Sequence, residues 1–208
     1  MEEKKEDLLI SNEVYMESGI HIGTRIKSSG MSRFIFKTRE DGLYLLDINT
    51  IDKRIRYASN LLSQFDPKDV LVTASRIYAI APAKKFAEIA GFNIITGRIV
   101  PGFMTNPMRS DFIEPKIILV SDTRNEKEAV KEAEKTHVAV IALSDTDNII
   151  RSVDLVIPCN NKGRKSLALV YYLLAREYLK ARGAIKVNEE FKYQISDFEA
   201  KVEATAQE

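Results

Sequence analysis

The sequence predicts an α/β three-layer sandwich built on a mainly parallel sheet. Several strand-like segments are apolar throughout instead of alternating, as VLVTAS (70–75) and KIILVSD (116–122) illustrate, and such strands must be covered on both faces. Segments with helical spacing of apolar residues, such as 50–65, lie between strands, and helix-length connections produce parallel crossovers. A chain of 208 residues with 45% hydrophobic and 29% charged residues suits one domain with a single core.

The amino-terminal part predicts a short helix and a pair of strands ahead of the main sheet. Residues 7–18 place apolar side chains near one face of a helix that ends at Gly19. Two strand-like segments, FIFK (34–37) and LYLLD (43–47), flank a glycine-containing turn. This part therefore precedes the alternating helices and strands.

From residue 49 onward, helical and strand patterns alternate. In the helix at 77–91, Pro82 either kinks the helix or marks its first turn, and in the helix that begins near 125, Asn125 and Glu128 form a capping arrangement. The predicted helices cover 50–65, 77–91, 125–135 and 163–183, and the predicted strands cover 70–75, 93–97, 116–122, 138–144 and 154–159.

The domain organisation follows from this order of elements. We predict a single α/β domain with its amino-terminal helix over residues 1–186. An acidic carboxy-terminal tail covers residues 187–208, lacks a strong core pattern and is expected to be peripheral.

Several features favour a cytoplasmic protein without a membrane partner. No apolar run approaches the roughly 18 residues that a membrane-spanning helix requires. The opening MEEKKEDLLI is charged and acidic where a secretory leader would be basic and then apolar. The single cysteine, Cys159, permits no internal disulfide. We therefore expect a cytoplasmic location.

Charge is distributed unevenly, although the net charge is only +1. Residues 21–109 contain fourteen basic and seven acidic side chains, and residues 151–186 contain eight and two. The remaining segments, 1–20, 110–150 and 187–208, each carry an excess of four acidic side chains. The two basic segments predict a surface that attracts a polyanion, unless they interleave with acidic segments in the folded chain.

The stretch GRIVPGFMTNPMRS (97–110) predicts an irregular loop held in one shape. Its prolines restrict φ and its glycines permit positive φ. Its large apolar side chains must be buried, either against the chain's own domain or against a partner. Loops of this length without secondary structure are uncommon and often functional.

The alternative function is an α/β enzyme or nucleotide-binding protein. Ligands of open α/β sheets bind beyond the carboxyl ends of the strands, where Asp122, Asp145 and Asp147 could hold Mg²⁺. Short polar residues at strand ends also cap helices and close turns, and we favour that role. Neither a P-loop nor G-x-G-x-x-G occurs, and Cys159 is expected to be a small buried residue instead of a nucleophile. The enzyme hypothesis therefore remains open here and rests on the fold alone.

Three segments carry the residue types expected of an RNA-binding surface. HIGTRIKSSGMSRFIFK (21–37) spreads cations along glycine- and serine-bearing backbone that can follow phosphates. We assign these cations to phosphate and both Phe34 and Phe36 to the core. The candidate RNA-binding residues of this segment are His21, Thr24, Arg25, Lys27, Arg33 and Lys37.

The other two segments follow strands. In the loop, arginines can contact phosphates, Thr and Asn can reach ribose hydroxyls and base edges, and Phe103 or Met104 can rest on a base. In NNKGRK (160–165), cations at a helix amino terminus oppose the macrodipole unless an anion lies between them, which favours bound phosphate. The candidate residues here are Arg98, Phe103, Thr105, Asn106, Arg109, Lys162, Arg164 and Lys165.

The same segments carry a resemblance to a known family. The chain resembles the ribosomal small-subunit protein two family, in the archaeal and eukaryotic branch that includes the laminin-receptor-like ribosomal protein. The resemblance extends from about residue 8 to residue 186. The matching stretches are SGIHIGT (18–24), FIFKTREDGLYLLDINT (34–50), GRIVPGFMTNPMRSDFIEPK (97–116), SDTRNEKEAV (121–130), IALSDTDN (141–148), DLVIPCNNKGRKS (154–166) and LLAREYLKARG (173–183).

The resemblance implies a flavodoxin-like or Rossmann-like sheet and a place between head and body on the solvent side of the small subunit. It also implies binding to small-subunit ribosomal RNA and to neighbouring ribosomal proteins, without catalysis. We therefore expect no cofactor, metal or small-molecule substrate. In bacterial members the loop leads into a long helical hairpin for which this sequence has no room, so contacts through that hairpin do not carry over. The tail after 187 matches the family least.

Overall fold

The computed structural model describes residues 8–186 and 190–200. Within these residues the chain forms a two-stranded antiparallel hairpin and a five-stranded parallel sheet. The helices are α1 (Asn12–Ser18), α2 (Ile48–Ser63), α3 (Ile77–Ala90), α4 (Lys127–Thr136) and α5 (Arg164–Ala181), and the strands are β1 (Ile35–Thr38), β2 (Tyr44–Leu46), β3 (Val70–Ala74), β4 (Asn93–Thr96), β5 (Ile117–Val120), β6 (Ala139–Ser144) and β7 (Leu155–Pro158).

The order of strands in the main sheet is β4-β3-β5-β6-β7, and every neighbouring pair is parallel. From β3 the chain moves outward to β4, whereas from β5 it moves in the opposite direction to β6 and β7. The switch point of the topology therefore lies between β3 and β5, and the predicted three-layer α/β sandwich with a flavodoxin-like or Rossmann-like sheet is confirmed.

Alternate residues of the strands feed two apolar clusters, one on each face of the sheet. Val70 and Val72 belong to the cluster that includes residues of α2, α3 and α5. Leu71 and Ile118 belong to a smaller cluster that includes residues of α4. Both faces are thus covered, which is why these strands are apolar throughout.

The connection from β4 to β5, residues 97–116, covers part of the α4 face without forming a helix. Ile99, Phe103 and Met104 are buried in the smaller cluster with Leu71 of β3. Of the two ways to bury these side chains, the structure shows packing on the chain's own domain. The loop thus occupies a position that a crossover helix would otherwise take.

Several helix ends differ from the sequence-based expectations. Within the described residues α1 begins at Asn12, later than expected, and it ends at Gly19, which has a φ of 67° as predicted. Pro82 lies inside α3 instead of in its first turn. The predicted cap by Asn125 is wrong because α4 begins at Lys127 and its cap position, Glu126, makes no side-chain cap bond.

Residues 190–200 pack against the domain, so the expectation of a peripheral tail is wrong for them. Phe198 is fully buried, and the rings of Phe191 and Phe198 make edge-on contacts with Tyr172 of α5 at centroid distances of 5.3 and 5.9 Å. The apolar residues of 190–200 are irregularly spaced and show neither a helical nor a strand period. The sequence pattern therefore does not predict that this segment packs against the domain. The rest of the predicted tail, 187–189 and 201–208, lies outside the described residues.

None of the helices in the described part of the chain is both long enough and apolar enough to cross a membrane.

Candidate nucleic-acid interface

The segment between α1 and β1 lies across the carboxyl ends of β6 and β7. The amide of Asn160 donates to the Ile20 carbonyl at 2.8 Å. Thr146 accepts from the Thr24 amide through its hydroxyl at 2.9 Å and from the Ser28 amide through its carbonyl at 2.8 Å. At Gly23 a Cβ atom would lie 2.5 Å from Thr146 Cγ2, so this close approach requires glycine. Thr24, a predicted RNA contact, is therefore engaged inside the protein.

The same segment also pairs with the β1–β2 hairpin. The Gly23 amide donates to the Tyr44 carbonyl at 2.9 Å, and the Tyr44 amide donates to the Thr24 carbonyl at 3.1 Å. An antiparallel bridge joins Ile22 and Leu45. Residues 19–47 thus form one unit, which we call the amino-terminal basic unit.

Four predicted cations of this unit are exposed, namely Arg25, Lys27, Arg33 and Lys37. Lys27 Nζ lies 5.2 Å from the centroid of the Tyr44 ring, and Arg33 Cζ lies 4.9 Å from that of Phe34. Among the described residues none of the four has a carboxylate partner within salt-bridge distance. This unit therefore retains positive charge that the described residues do not neutralise.

Phe34 and Phe36 have opposite environments. Phe34 is 4% exposed, whereas Phe36 is 74% exposed. The prediction that both lie in the core is wrong for Phe36 because Phe34 belongs to a 3₁₀ turn that ends where β1 begins, so the alternation of a strand does not place the two side chains on one face. The unit thus combines exposed cations with an exposed aromatic ring.

His21 does not contribute a cation to the unit. Its Nδ1 atom is buried and has no hydrogen-bond partner among the described residues, and burial lowers the pKa of the imidazole. The side chain lines a cleft of about 290 Å³ with Met16 and Phe36. A neutral, half-buried imidazole is a poor phosphate ligand, so the structure argues against the predicted role of His21.

The loop at 97–116 is anchored from α4 by a single carboxylate. Glu132 is 5% exposed and accepts hydrogen bonds from the backbone amides of Gly102 and Met104. Arg109 makes a bidentate contact with Asp111 at 2.7 Å and donates to the Pro101 carbonyl at 3.3 Å. The predicted rigid backbone is therefore built from internal hydrogen bonds.

The loop presents a different set of side chains from the predicted one. Phe103 is 2% exposed, so the prediction that it rests on an RNA base is wrong for this conformation. Arg109 is engaged with Asp111. Thr105 and Asn106 are exposed as predicted, and Arg98 is exposed without a carboxylate partner among the described residues. The exposed tip also carries Met108, with 92% of its surface accessible.

The cations at the start of α5 have carboxylates beside them. Lys162 Nζ lies 3.1 Å from Asp145 and 2.8 Å from Asp147. These carboxylates thus supply the negative charge that the predicted phosphate was expected to provide at this helix amino terminus. The more exposed partners are farther apart: Arg164 lies 3.4 Å from Glu199, and Lys165 lies 3.7 Å from Glu17. Exposed pairs of this kind are weak.

The strand-end aspartates of the alternative function are also engaged. Asp122 is fully buried and accepts from Arg76 at 2.6 Å and from the Asn148 amide at 2.6 Å. In the described ranges, no group of three His, Cys, Asp or Glu side chains is arranged to hold a metal ion. Cys159 is fully buried, and burial raises the pKa of its thiol. The residues proposed for an enzyme therefore serve the fold.

Glu126 occupies the switch point between β3 and β5, and the sequence reasoning did not single it out. Its carboxylate accepts from the Thr73 hydroxyl at 2.6 Å, the Ser75 amide at 2.9 Å and the Ser121 amide at 3.0 Å. Burial raises the pKa of Glu126 to about 7. The position where related sheets bind ligands is thus filled by a side chain of the protein.

The predicted segments share one edge of the sheet but not one site. The amino-terminal basic unit lies beside residues 160–165, where β6 and β7 end. Arg98 follows β4, at the opposite side of the sheet. Four strand spacings of about 4.8 Å separate β4 from β7, so the two regions are roughly 20 Å apart.

Comparison with known proteins gives consistent relatives. A family model described as Ribosomal protein S2 matches residues 108–181. The chain is 50% identical over 197 residues to small ribosomal subunit protein uS2 of Thermoplasma acidophilum. This alignment covers 95% of this chain and 99% of the relative. It is 46% identical over 196 residues to the uS2 protein of Saccharolobus solfataricus, with coverage of 94% and 85%. At this identity over nearly its whole length, the chain belongs to the family of small ribosomal subunit protein uS2.

Proposed function

We propose that this chain binds small-subunit ribosomal RNA through the amino-terminal basic unit and contacts neighbouring ribosomal proteins. Membership of the uS2 family makes the chain a structural constituent of the small ribosomal subunit and not an enzyme. Its location is that of archaeal ribosomes, in the cytoplasm.

The observation that carries the proposal is the group of four exposed cations in one unit, none of which has a carboxylate partner in residues 8–186 or 190–200. Arg25, Lys27, Arg33 and Lys37 belong to backbone that Thr146 and Tyr44 hold in place. Preordered cations lose little conformational freedom when they meet a phosphate backbone. An exposed aromatic ring, Phe36, lies in the same unit, and aromatic rings stack on unpaired bases.

The loop at 97–116 supports the proposal as a second contact. Its base is fixed by Glu132 and by the burial of Phe103. Its tip exposes Thr105 and Asn106, whose side chains can reach ribose hydroxyls and base edges. A rigid tip of this kind enters an RNA junction without having to order itself first.

Contacts with neighbouring ribosomal proteins are supported by exposed apolar side chains. Ile26 and Ile149 are 67% and 73% exposed, and they line one groove of about 650 Å³ together with Val130. Exposed apolar groups that share a groove are typical of protein-binding surfaces.

The test is the salt dependence of binding to archaeal small-subunit ribosomal RNA. Each phosphate contact adds about 0.7–0.9 to the slope of log affinity against log salt. The variant Arg25→Ala/Lys27→Ala/Lys37→Ala should reduce this slope by about 2. The matched control Lys68→Ala/Lys84→Ala/Lys135→Ala removes the same charge from exposed positions outside the unit. Equal effects of both variants, or a flat salt response of the native chain, would contradict the proposal.

A further inference from the structure

Two arginines from different elements share one aromatic ring. Arg33 Cζ lies 4.9 Å from the centroid of the Phe34 ring, and Arg54 Cζ of α2 lies 5.4 Å from it. The two guanidinium groups are therefore no more than about 10 Å apart. Arg54 is half-buried, and the sequence reasoning did not consider it.

Neither arginine has a carboxylate partner in residues 8–186 or 190–200. The nearby acids serve other groups. Asp47 caps α2 by accepting from the Asn49 and Thr50 amides at 3.3 and 3.1 Å. Asp52 accepts from the Tyr15 hydroxyl at 2.7 Å and from Arg56 at 2.8 Å.

Two like charges within about 10 Å of each other repel, and contact with the Phe34 ring attracts each guanidinium group without neutralising it. Guanidinium groups bind phosphate oxygens through pairs of parallel N–H donors. The same unit contains three more exposed cations, Arg25, Lys27 and Lys37, that have no carboxylate partner among the described residues. That distribution fits the repeating charge of a nucleic-acid backbone better than a single carboxylate.

We propose that Arg33 and Arg54, held on Phe34, form a clamp for one phosphate group of small-subunit ribosomal RNA. The inference rests on the proposed RNA-binding function and adds a binding residue on α2 to it. Because both arginines contact the same phosphate, their contributions to affinity are coupled. Substitution of either arginine therefore removes most of the RNA affinity that the pair contributes.

The experiment measures the affinity of the full chain for small-subunit ribosomal RNA with Arg33→Gln, Arg54→Gln and the double variant. Each single substitution should weaken binding about tenfold, the size expected for a charged hydrogen bond. The double variant should also weaken binding only about tenfold, instead of the roughly hundredfold loss of independent contacts. The control is Arg39→Gln, whose guanidinium already pairs with Asp41 at 3.3 Å in the same unit, and it should change affinity less than twofold.

The outcomes separate the clamp from the proposed function. Single variants that behave like Arg39→Gln, on a chain that still binds RNA with a steep salt dependence, would overturn the clamp alone. A native chain without salt-dependent binding would overturn the proposed function as well. Variants that bind RNA normally but fail to join small subunits would identify a protein carboxylate as the ligand and overturn the phosphate assignment.

A thermal melt of each variant shows whether it is folded. If Arg54→Gln is unfolded, Arg54→Lys replaces it, because lysine keeps the charge and lacks the planar pair of donors. Arg54→Lys should then bind RNA more weakly than the native chain, and native-like binding would overturn the clamp.

Discussion

Phe34 and Phe36 show at the scale of single residues what a sequence pattern leaves open. Alternation along a strand predicts that the two side chains share a face, because they are two positions apart. In the structure the first closes the main apolar cluster and the second is exposed. Ile35 begins β1, so Phe34 precedes the strand and lies in a short 3₁₀ turn with its own orientation. The turn, which the sequence pattern did not predict, breaks the alternation.

Substitution of Phe36 tests the exposed ring as a platform for an RNA base. Phe36→Ala should leave the free energy of unfolding nearly unchanged because the side chain is 74% exposed. It should weaken RNA binding by about 1–3 kcal/mol, the usual contribution of one stacked base. Urea denaturation and RNA-binding titrations measure the two effects. The control is Phe34→Ala, which should lower stability by about 3–5 kcal/mol as a core substitution. A stability loss of that size in Phe36→Ala would show that the ring serves the fold.

Residue types alone predict only part of the candidate site. Exposed cations such as Arg25, Lys27 and Arg98 were predictable because basic side chains on irregular backbone rarely find buried partners. The carboxylate partners of Lys162 and Arg109 were not predictable, since Asp145 is distant from Lys162 in sequence and Asp111 gives no sign of its orientation. The role of Arg54 depends on how α2 packs beside Phe34.

At the scale of elements, the loop between β4 and β5 depends on α4 for its shape. Glu132 points from the helix toward the loop and pairs with two backbone amides that would otherwise be buried without acceptors. The pattern of α4 predicted the helix correctly, but it could not show that an acidic residue on its buried side receives a loop. From the sequence alone, a glutamate on a helix is expected to be solvated, because its buried hydrogen-bond partners appear only in the structure.

Removal of this anchor gives a prediction about the whole loop. Glu132→Ala should lower the free energy of unfolding by about 2–4 kcal/mol because two amides lose their acceptors. It should also speed hydrogen exchange of amides in 99–113. Urea denaturation and hydrogen exchange provide the measurements. Glu128→Ala on the same helix, whose carboxylate pairs at the surface with Lys131, should change stability by less than about 0.5 kcal/mol. Matching effects of the two substitutions would remove the anchoring role of Glu132.

At the scale of the whole molecule, the fold class and all five strands of the main sheet described here were predictable, chiefly because strands buried on both faces are apolar throughout. The order of strands was not predictable from the pattern. It places Glu126 at the switch point, where the Thr73 hydroxyl and the amides of Ser75 and Ser121 surround it. This contact joins residues 73–75 to residues 121–126, two stretches that are far apart in the chain.

Glu126 makes the stability of the folded molecule depend on pH. Its pKa rises from an ordinary value of 4.5 to about 7 in the folded chain. Between these values the folded state binds more protons than the unfolded state, so the contribution of Glu126 to stability falls as the pH rises through this window. The loss amounts to about 3 kcal/mol at 1.36 kcal/mol per unit of pKa.

The measurement is the free energy of unfolding of the native chain and of Glu126→Gln from about pH 4.5 to 7. Glutamine keeps the shape and does not titrate, and the hydroxyls of Thr73 and Ser75 can accept from its amide. The native chain should lose stability relative to the variant across this range. Parallel curves for the two chains would mean that Glu126 does not titrate there.

The hydrogen bonds that hold residues 19–28 to Thr146 and Asn160 connect parts of the chain that the ribosome synthesises at very different times. The hydrogen bond from Thr24 to Thr146 spans 122 residues. During translation the amino-terminal segment emerges first, yet it lacks this support until β6, β7 and the residues after them have left the exit tunnel. The amino-terminal basic unit is thus among the first parts synthesised and the last to be completed, so a nascent chain cannot present it before the sheet exists.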